Sequence, residues 1–235
     1  MEVGMIGLGR MGGAMAARLV RGGHRVVAHD RDPEAVREAV RSGAEGVAGL
    51  AEAVAGLAPP RVVWLMVPAG SPTEETIVAL SGLLAAGDLI VDGGNSDYRD
   101  SMRRASFLTA RSIGFTDVGT SGGVWGGEEG YCLMAGGEVD AVDRIAPLLR
   151  TLAPSSDRGW AHVGPAGAGH FAKMVHNGVE YALMEAYAEG FDLLASKKEF
   201  AYDPAAVAEL WRHGSVVRSW LLDLAAHALA ADADL

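Results

Sequence analysis

Gly7-Leu8-Gly9-Arg10-Met11-Gly12 sits between an apolar run at residues 3–6 and a helical pattern at residues 11–21. A strand, a G-x-G-x-x-G turn and a helix in that order leave few folds open. Gly7 permits the tight turn, Gly9 lets the backbone approach a pyrophosphate, and Gly12 allows the helix to close on the strand. The free N–H groups of the helix N-terminus, from Arg10 and Met11 on, then face the phosphates. A bare glycine-rich turn would read the same way, so context decides. A second apolar run, residues 26–29, ends at Asp30, about 20 residues on, where a carboxylate binds a ribose 2′-hydroxyl. Asp30 favours NAD. Arg31 leaves NADP open, because it can pair with a 2′-phosphate, stack on adenine or serve as a solvent-facing loop cation.

Further short apolar runs recur at residues 62–67, 89–91, 115–118 and 131–135, most of them rich in Val, Ile or aromatics. Those up to Val118 are separated by helical patterns at residues 33–40, 71–84 and 98–110. Alternating strands and helices predict a doubly wound parallel sheet with right-handed crossovers, a Rossmann-like α/β domain. One more helix is expected over residues 140–152, kinked or broken at Pro147. From residue 165 on the pattern is helical, with Pro204 at a helix start. The expected division is a dinucleotide-binding domain at 1–164 and an all-α domain at 165–235. The apolar stretch 211–222 reads as a core helix or an interface.

With 235 residues, half of them apolar, the chain can bury a sizeable core. A net charge of −10 argues against nucleic acid or an anionic membrane as partner. The single cysteine, Cys132, cannot form an intramolecular disulfide and reads as core filler in a cytoplasmic protein. There is no long charge-free apolar stretch for a membrane helix, and Met1 leads into a strand and not into a signal peptide. No convincing metal-ligand spacing is present.

Two loops follow strands at the carboxyl edge, where an open α/β sheet binds its ligand. One is Val67-Pro68-Ala69-Gly70. The other is Asp92-Gly93-Gly94-Asn95-Ser96. Asn95 can bond substrate or nicotinamide, or can serve as a turn or cap residue; Ser96 reads as a helix cap. A third loop, Thr120-Ser121-Gly122-Gly123-Val124-Trp125, offers successive N–H groups and a hydroxyl to a carboxylate, or is a flexible glycine loop. Residues 167–181 are the most chemically loaded. On a helix, Lys173, His176, Asn177, Glu180 and Tyr181 share one face with His170 at its edge. Phe171, Val175, Val179, Ala182 and Ala186 share the other, which is expected to dock on a core. Lys173 and Glu180 are two turns apart, about 10 Å along the axis. A solvated Lys/Glu face is the ordinary reading of that spacing. The rest of that face, Asn, His and Tyr, and a nucleotide-binding signature upstream point to a site.

Together these motifs resemble the β-hydroxyacid dehydrogenase superfamily, and within it the 6-phosphogluconate dehydrogenase family. Gly7–Gly12 and Ser121-Gly122-Gly123 are superfamily features. Asp92-Gly93-Gly94-Asn95-Ser96 and Gly169-His170-Phe171-Ala172-Lys173-Met174-Val175-His176-Asn177-Gly178-Val179-Glu180-Tyr181 are far more specific. The resemblance runs over residues 3–195 and, through Asp30, is to a shorter, NAD-preferring branch. It implies oxidative decarboxylation of a phosphorylated sugar acid, 6-phosphogluconate, in the pentose phosphate pathway. Lys173 is then the general base and Glu180 the acid. Asn95, Ser121, Gly122, Gly123, His176, Asn177 and Tyr181 bind substrate. Gly7–Gly12, Asp30, Arg31, Val67, Pro68, Ala69 and Asn95 bind cofactor. It also implies a homodimer or homotetramer formed through the helical domain. Family members continue past residue 235, so the helical domain is expected to be incomplete, leaving Lys197, Arg212 and Arg218 as the remaining phosphate-ligand candidates. Two alternatives stand beside this. One is a non-decarboxylating dehydrogenase of the 3-hydroxyisobutyrate type. The other is a truncated, inactive NAD-binding module.

Overall fold

The structure, a computed structural model, describes residues 1–232; the last three residues of the expected helical domain, 233–235, lie outside the described residues. Eight strands form one sheet: β1 (Glu2–Ile6), β2 (Arg25–His29), β3 (Glu45–Gly46), β4 (Val62–Leu65), β5 (Leu89–Asp92), β6 (Gly114–Ser121), β7 (Cys132–Gly137) and β8 (Trp160–Gly164). Their spatial order is β3-β2-β1-β4-β5-β6-β7-β8. Every neighbouring pair is parallel except β6 and β7. The helices are α1 (Arg10–Arg21), α2 (Pro33–Arg41), α3 (Leu50–Ala55), α4 (Ser71–Ser81), α5 (Tyr98–Thr109), α6 (Gly126–Glu129), α7 (Val139–Leu152), α8 (Ala168–Ser196), α9 (Pro204–Trp211) and α10 (Trp220–Ala231). The Rossmann-like sheet followed by helices is thus the observed architecture.

Strand periodicity builds two cores from one sheet. On β4, Val62 and Trp64 face a cluster that includes Met15 and Leu19 of α1 and Leu148 and Leu149 of α7. Val63 and Leu65 face the opposite cluster, with Val54 of α3, Ile77 and Leu80 of α4 and Leu108 of α5. Each such fully buried side chain contributes about 1.5–3 kcal/mol, which is what holds both helix layers to the sheet.

By its contacts the chain divides into a sheet unit, Met1–Met174, and a helical unit, Val175–Leu235. The division by contacts falls inside α8 because the first turns of that helix are seated on the sheet. Asp117, fully buried on β6, accepts from the Gly167 N–H at 2.6 Å and the His170 N–H at 2.8 Å. These are orphan donors of a helix N-terminus, capped by a residue from another element. Glycines make the seat possible: a Cβ on Gly119 would lie 2.5 Å from Lys173 Cβ, and one on Gly136 would lie 2.7 Å from Gly169 N. The helical unit has its own small core. Phe191 stacks on Trp211 at 5.6 Å, beside Ala208, Leu222 and Ala226.

Several expectations are corrected. Cys132 is exposed and not core filler: strand alternation turns Leu133 into the core and leaves Cys132 on the other face, opposite Ser121. Residues 211–222 are not one helix, because α9 ends at Trp211 and α10 starts only at Trp220, capped by the Ser219 hydroxyl. Pro147 lies inside an uninterrupted α7. Ser96 is not a cap; Asp97 caps α5, and Ser96 is buried. Phe171, Val175 and Val179 are about half exposed: Phe171 meets Tyr98 edge-on at 5.1 Å, and the core of the helical unit gathers at the far end of α8, around Phe191. The short strands β3 and β8 and helix α3 gave no periodic signal strong enough to predict.

The Asp92–Ser96 segment is fixed by a buried cation. Arg104 of α5 donates to Asp92 Oδ2 at 3.1 Å and to Ser96 Oγ at 3.2 Å, and its Nε reaches Glu74 Oε2 at 3.0 Å. Arg103, and then Arg104, hold the Glu74 carboxyl at about 2, against partial burial that pushes it up. Unfolded, Glu74 titrates near 4.5, so its contribution to stability is present above pH 4.5 and is lost as pH falls through about 2. Chemical denaturation between those pH values is expected to show a steeper loss of stability for the wild type than for Glu74→Gln. At neutral pH, Asp117→Asn is expected to cost about 1–3 kcal/mol, because a neutral amide oxygen replaces a carboxylate that serves two N–H donors.

Candidate active site

The glycine turn between β1 and α1 has three distinct geometries. Gly7 has a φ of +92°, and a Cβ there would lie 2.5 Å from Met66 O. A Cβ on Gly12 would run into the Gly7 carbonyl. Gly9 has nothing within 4 Å on its Cβ side, and it caps α1 without a side-chain bond, with no acid in the first turn. The helix N-terminus therefore presents unsatisfied N–H groups to open space, the setting an anionic pyrophosphate needs. At the end of β2, Asp30 is fixed from two sides. Its Oδ2 accepts from the Leu8 N–H at 2.6 Å and its Oδ1 from the Asp32 N–H at 2.8 Å. Leu8 thus orients Asp30 through its backbone while its side chain is buried.

These residues open onto one cleft of about 840 Å³. Gly7, Gly9, Arg10, Met11 and Gly12 of the glycine turn line it, with Asp30 and Arg31 after β2. Val67, Pro68 and Ala69 after β4, Asn95 after β5 and Thr120 of β6 line it as well. Thr120, which opens the third loop read from the sequence, lines the cleft, and sequence reading missed His29, Met66 and Thr76, which also line it. His29, Met66 and Thr76 belong to ordinary element ends and carry no motif. Ser121, Gly122 and Gly123 follow at the end of β6, where Gly122 and Gly123 take φ values of +130° and +51° that glycine alone adopts readily.

Lys173 lies near the start of α8, its Cβ over Gly119 of β6, so one short stretch of strand, Gly119–Thr120, meets both Lys173 and the cofactor cleft. His170, expected at the edge of the polar face, is buried instead: its Nδ1 lies 2.7 Å from Ser101 Oγ of α5. Within the helical unit, His176 Nδ1 lies 3.5 Å from Glu180 Oε2 and 3.4 Å from Asn177 Oδ1, while Tyr181 is exposed. Two of the three phosphate-ligand candidates are engaged elsewhere. Arg212 pairs with Glu209 and Asp223, and Lys197 pairs with Glu199. Among the described residues no group of three or more His, Cys, Asp or Glu side chains could hold a metal ion.

Two family descriptions match consecutive parts of the chain. The NAD binding domain of 6-phosphogluconate dehydrogenase matches residues 2–164, and the C-terminal domain of the same enzyme matches residues 169–234. The chain belongs to the 6-phosphogluconate dehydrogenase family. It is 47% identical over 224 residues to the NAD(+)-dependent, decarboxylating 6-phosphogluconate dehydrogenase of Haloferax volcanii, covering 95% of this chain and 73% of that one. Identity to the NAD(+)-dependent, decarboxylating enzyme of Bacillus subtilis is 37%, covering 97% of this chain and 50% of that one. Among solved structures, Plasmodium falciparum 6-phosphogluconate dehydrogenase superposes with a TM-score of 0.87 at 27% identity, over 98% of this chain and 51% of that one. Mycobacterium tuberculosis 3-hydroxyisobutyrate dehydrogenase, solved with L-serine, gives 0.80 at 28% identity, over 94% and 72%.

As the family's NAD-binding domain, the sheet unit gives the glycine geometry a direct test. Gly9→Ala is expected to keep the wild-type stability to within about 0.5 kcal/mol, since the added methyl meets no atom, yet to weaken NADH binding at least roughly tenfold by projecting into the cleft. Gly12→Ala is expected to lose both, because it displaces the Gly7 carbonyl. Thermal denaturation and NADH fluorescence titration separate the two.

Proposed function

We propose that this chain carries out the NAD-linked oxidative decarboxylation of 6-phosphogluconate to ribulose 5-phosphate and CO₂. The observation that carries this reading is the position of Lys173, seated on Gly119 beside Thr120 of the cofactor cleft. Bound NAD supplies the hydride acceptor. Lys173, neutral at the outset, takes the proton of the C3 hydroxyl as the hydride leaves C3. The β-keto acid so formed loses CO₂ readily without a metal, and the lysine ammonium stabilises the enolate oxygen that develops. Glu180, two turns further along the same helix, returns a proton to C1 of the enediol. Asn95, Ser121, Gly122 and Gly123 at strand ends, with His176, Asn177 and Tyr181 along the helix, hold the sugar acid, Tyr181 toward its phosphate. In this reading residues 1–164 serve the dinucleotide, and residues 165–235 serve substrate binding and subunit association.

The likeness to 3-hydroxyisobutyrate dehydrogenase favours one second reading, oxidation that stops at the keto acid. Against it stands the His176-Asn177-Gly178-Val179-Glu180-Tyr181 sequence, a continuation that resembles the decarboxylating family and supplies Glu180 as the proposed acid.

Nicotinamide reduction followed by absorbance with 6-phosphogluconate, with CO₂ trapped in parallel, decides between them. The expected result is one CO₂ per NADH, and a fall of roughly 10²–10⁴-fold in turnover for Lys173→Ala. Reduction without CO₂ would establish the second reading. Cofactor binding without turnover would leave the chain a binding module.

A further inference from the structure

Helix α4 carries adjacent acids with different employment. Glu74 turns toward α5 and is held by Arg103 and Arg104. Glu75, about 100° further round the helix, turns the other way. It lies three residues after Pro72, on the helix face of that residue, which lines the cofactor cleft. Arg31, the residue after Asp30, lines the cleft too. Its Nη2 lies 4.0 Å from Glu75 Oε2, and both side chains are largely exposed, at 83% and 69%. The Arg31–Glu75 pair thus links the residue after Asp30, which lines the cleft, to helix α4.

The geometry points to Glu75 as a specificity-determining residue: by holding Arg31 on α4, it keeps that guanidinium from serving a 2′-phosphate and so sharpens the choice of NAD over NADP. This rests on the cofactor role of the cleft and is independent of the sugar acid. A 2′-phosphate carries a charge of about −1.5 to −2 and is ordinarily accepted by an arginine just after the second strand. Arg31 occupies that place in the sequence, so Asp30 alone does not make the site blind to NADP. To reach the phosphate, Arg31 must leave Glu75. For NAD that cost does not arise, since its 2′-hydroxyl asks nothing of Arg31. Exposed pairs of this kind shift equilibria about two- to fivefold, so Glu75 adjusts a preference that Asp30 sets.

The test is the ratio of dissociation constants, NADPH over NADH, measured by fluorescence titration at low salt on the wild-type chain, Glu75→Gln, Arg31→Ala and the double variant. The wild-type ratio is expected to exceed one. Glu75→Gln is expected to lower it about two- to fivefold by tightening NADPH, with the NADH constant within twofold of wild type. In the Arg31→Ala background the same substitution is expected to leave the ratio unchanged, because the effect runs through Arg31. An unchanged ratio in Glu75→Gln would overturn the inference. So would an equal drop with and without Arg31, which would make Glu75 a bulk charge, or a wild-type ratio below one. Failure of NADH to bind any variant would remove the cofactor role and this inference together. Absence of CO₂ release bears only on the proposed reaction.

Discussion

The carboxylate of Asp117 is the interaction on which the position of Lys173 depends. It is taken fully out of water on β6, a step that costs several kcal/mol for an isolated ion. Two short charge-assisted bonds from Gly167 and His170, together with the positive end of α8, offset that cost. These bonds tie the first turn of α8 to β6. Gly119, Gly136 and Gly169 then bring helix backbone directly against strand backbone, where any Cβ would hold the two apart. The seat is therefore a joint result of one buried charge and three missing side chains.

A second buried charge serves the neighbouring loop. Arg104 is almost wholly buried and bonds Asp92, Ser96 and Glu74 together. Buried ion pairs of this kind are weak evidence for stability, since hydrophobic replacements often do as well. Their better-supported effect is positional. Asp92 ends β5, Ser96 precedes α5, and Asn95 is held between them, so the cluster fixes the backbone of a residue whose own side chain is exposed at the cleft. Arginine–carboxylate contacts thus occur at two lining segments of the cleft, buried at Arg104 and exposed at Arg31.

What could be read from the sequence was local. Gly7, Gly9 and Gly12 declare themselves because their spacing is set by a single turn, and Asp30 because one crossover fixes its distance from that turn. The strands of the parallel half were legible as short β-branched runs. Asp117 was not, because its partners are about 50 residues away and an acid in a strand has no periodic signature. Ser96 was read as a cap on residue type, whereas the structure gives that task to Asp97 and binds Ser96 to Asp92 and Arg104. Cys132 was read as buried from an apolar neighbourhood, yet a one-residue phase along β7 decides which face it occupies. The apolar face of α8 illustrates the same limit: periodicity finds such a face but does not say what covers it.

The seat also separates packing from chemistry at Lys173. Its contact with Gly119 is made by Cβ, an atom that every residue except glycine supplies. The amine lies four bonds beyond that contact and plays no part in it. Removing the amine therefore leaves the helix where it is, whereas adding a methyl at Gly119 moves the helix and leaves the amine intact. Under the proposed reaction, loss of activity in the first case would report on proton transfer, and in the second on a displaced base. That distinction follows from a strand-to-helix approach closer than side chains allow.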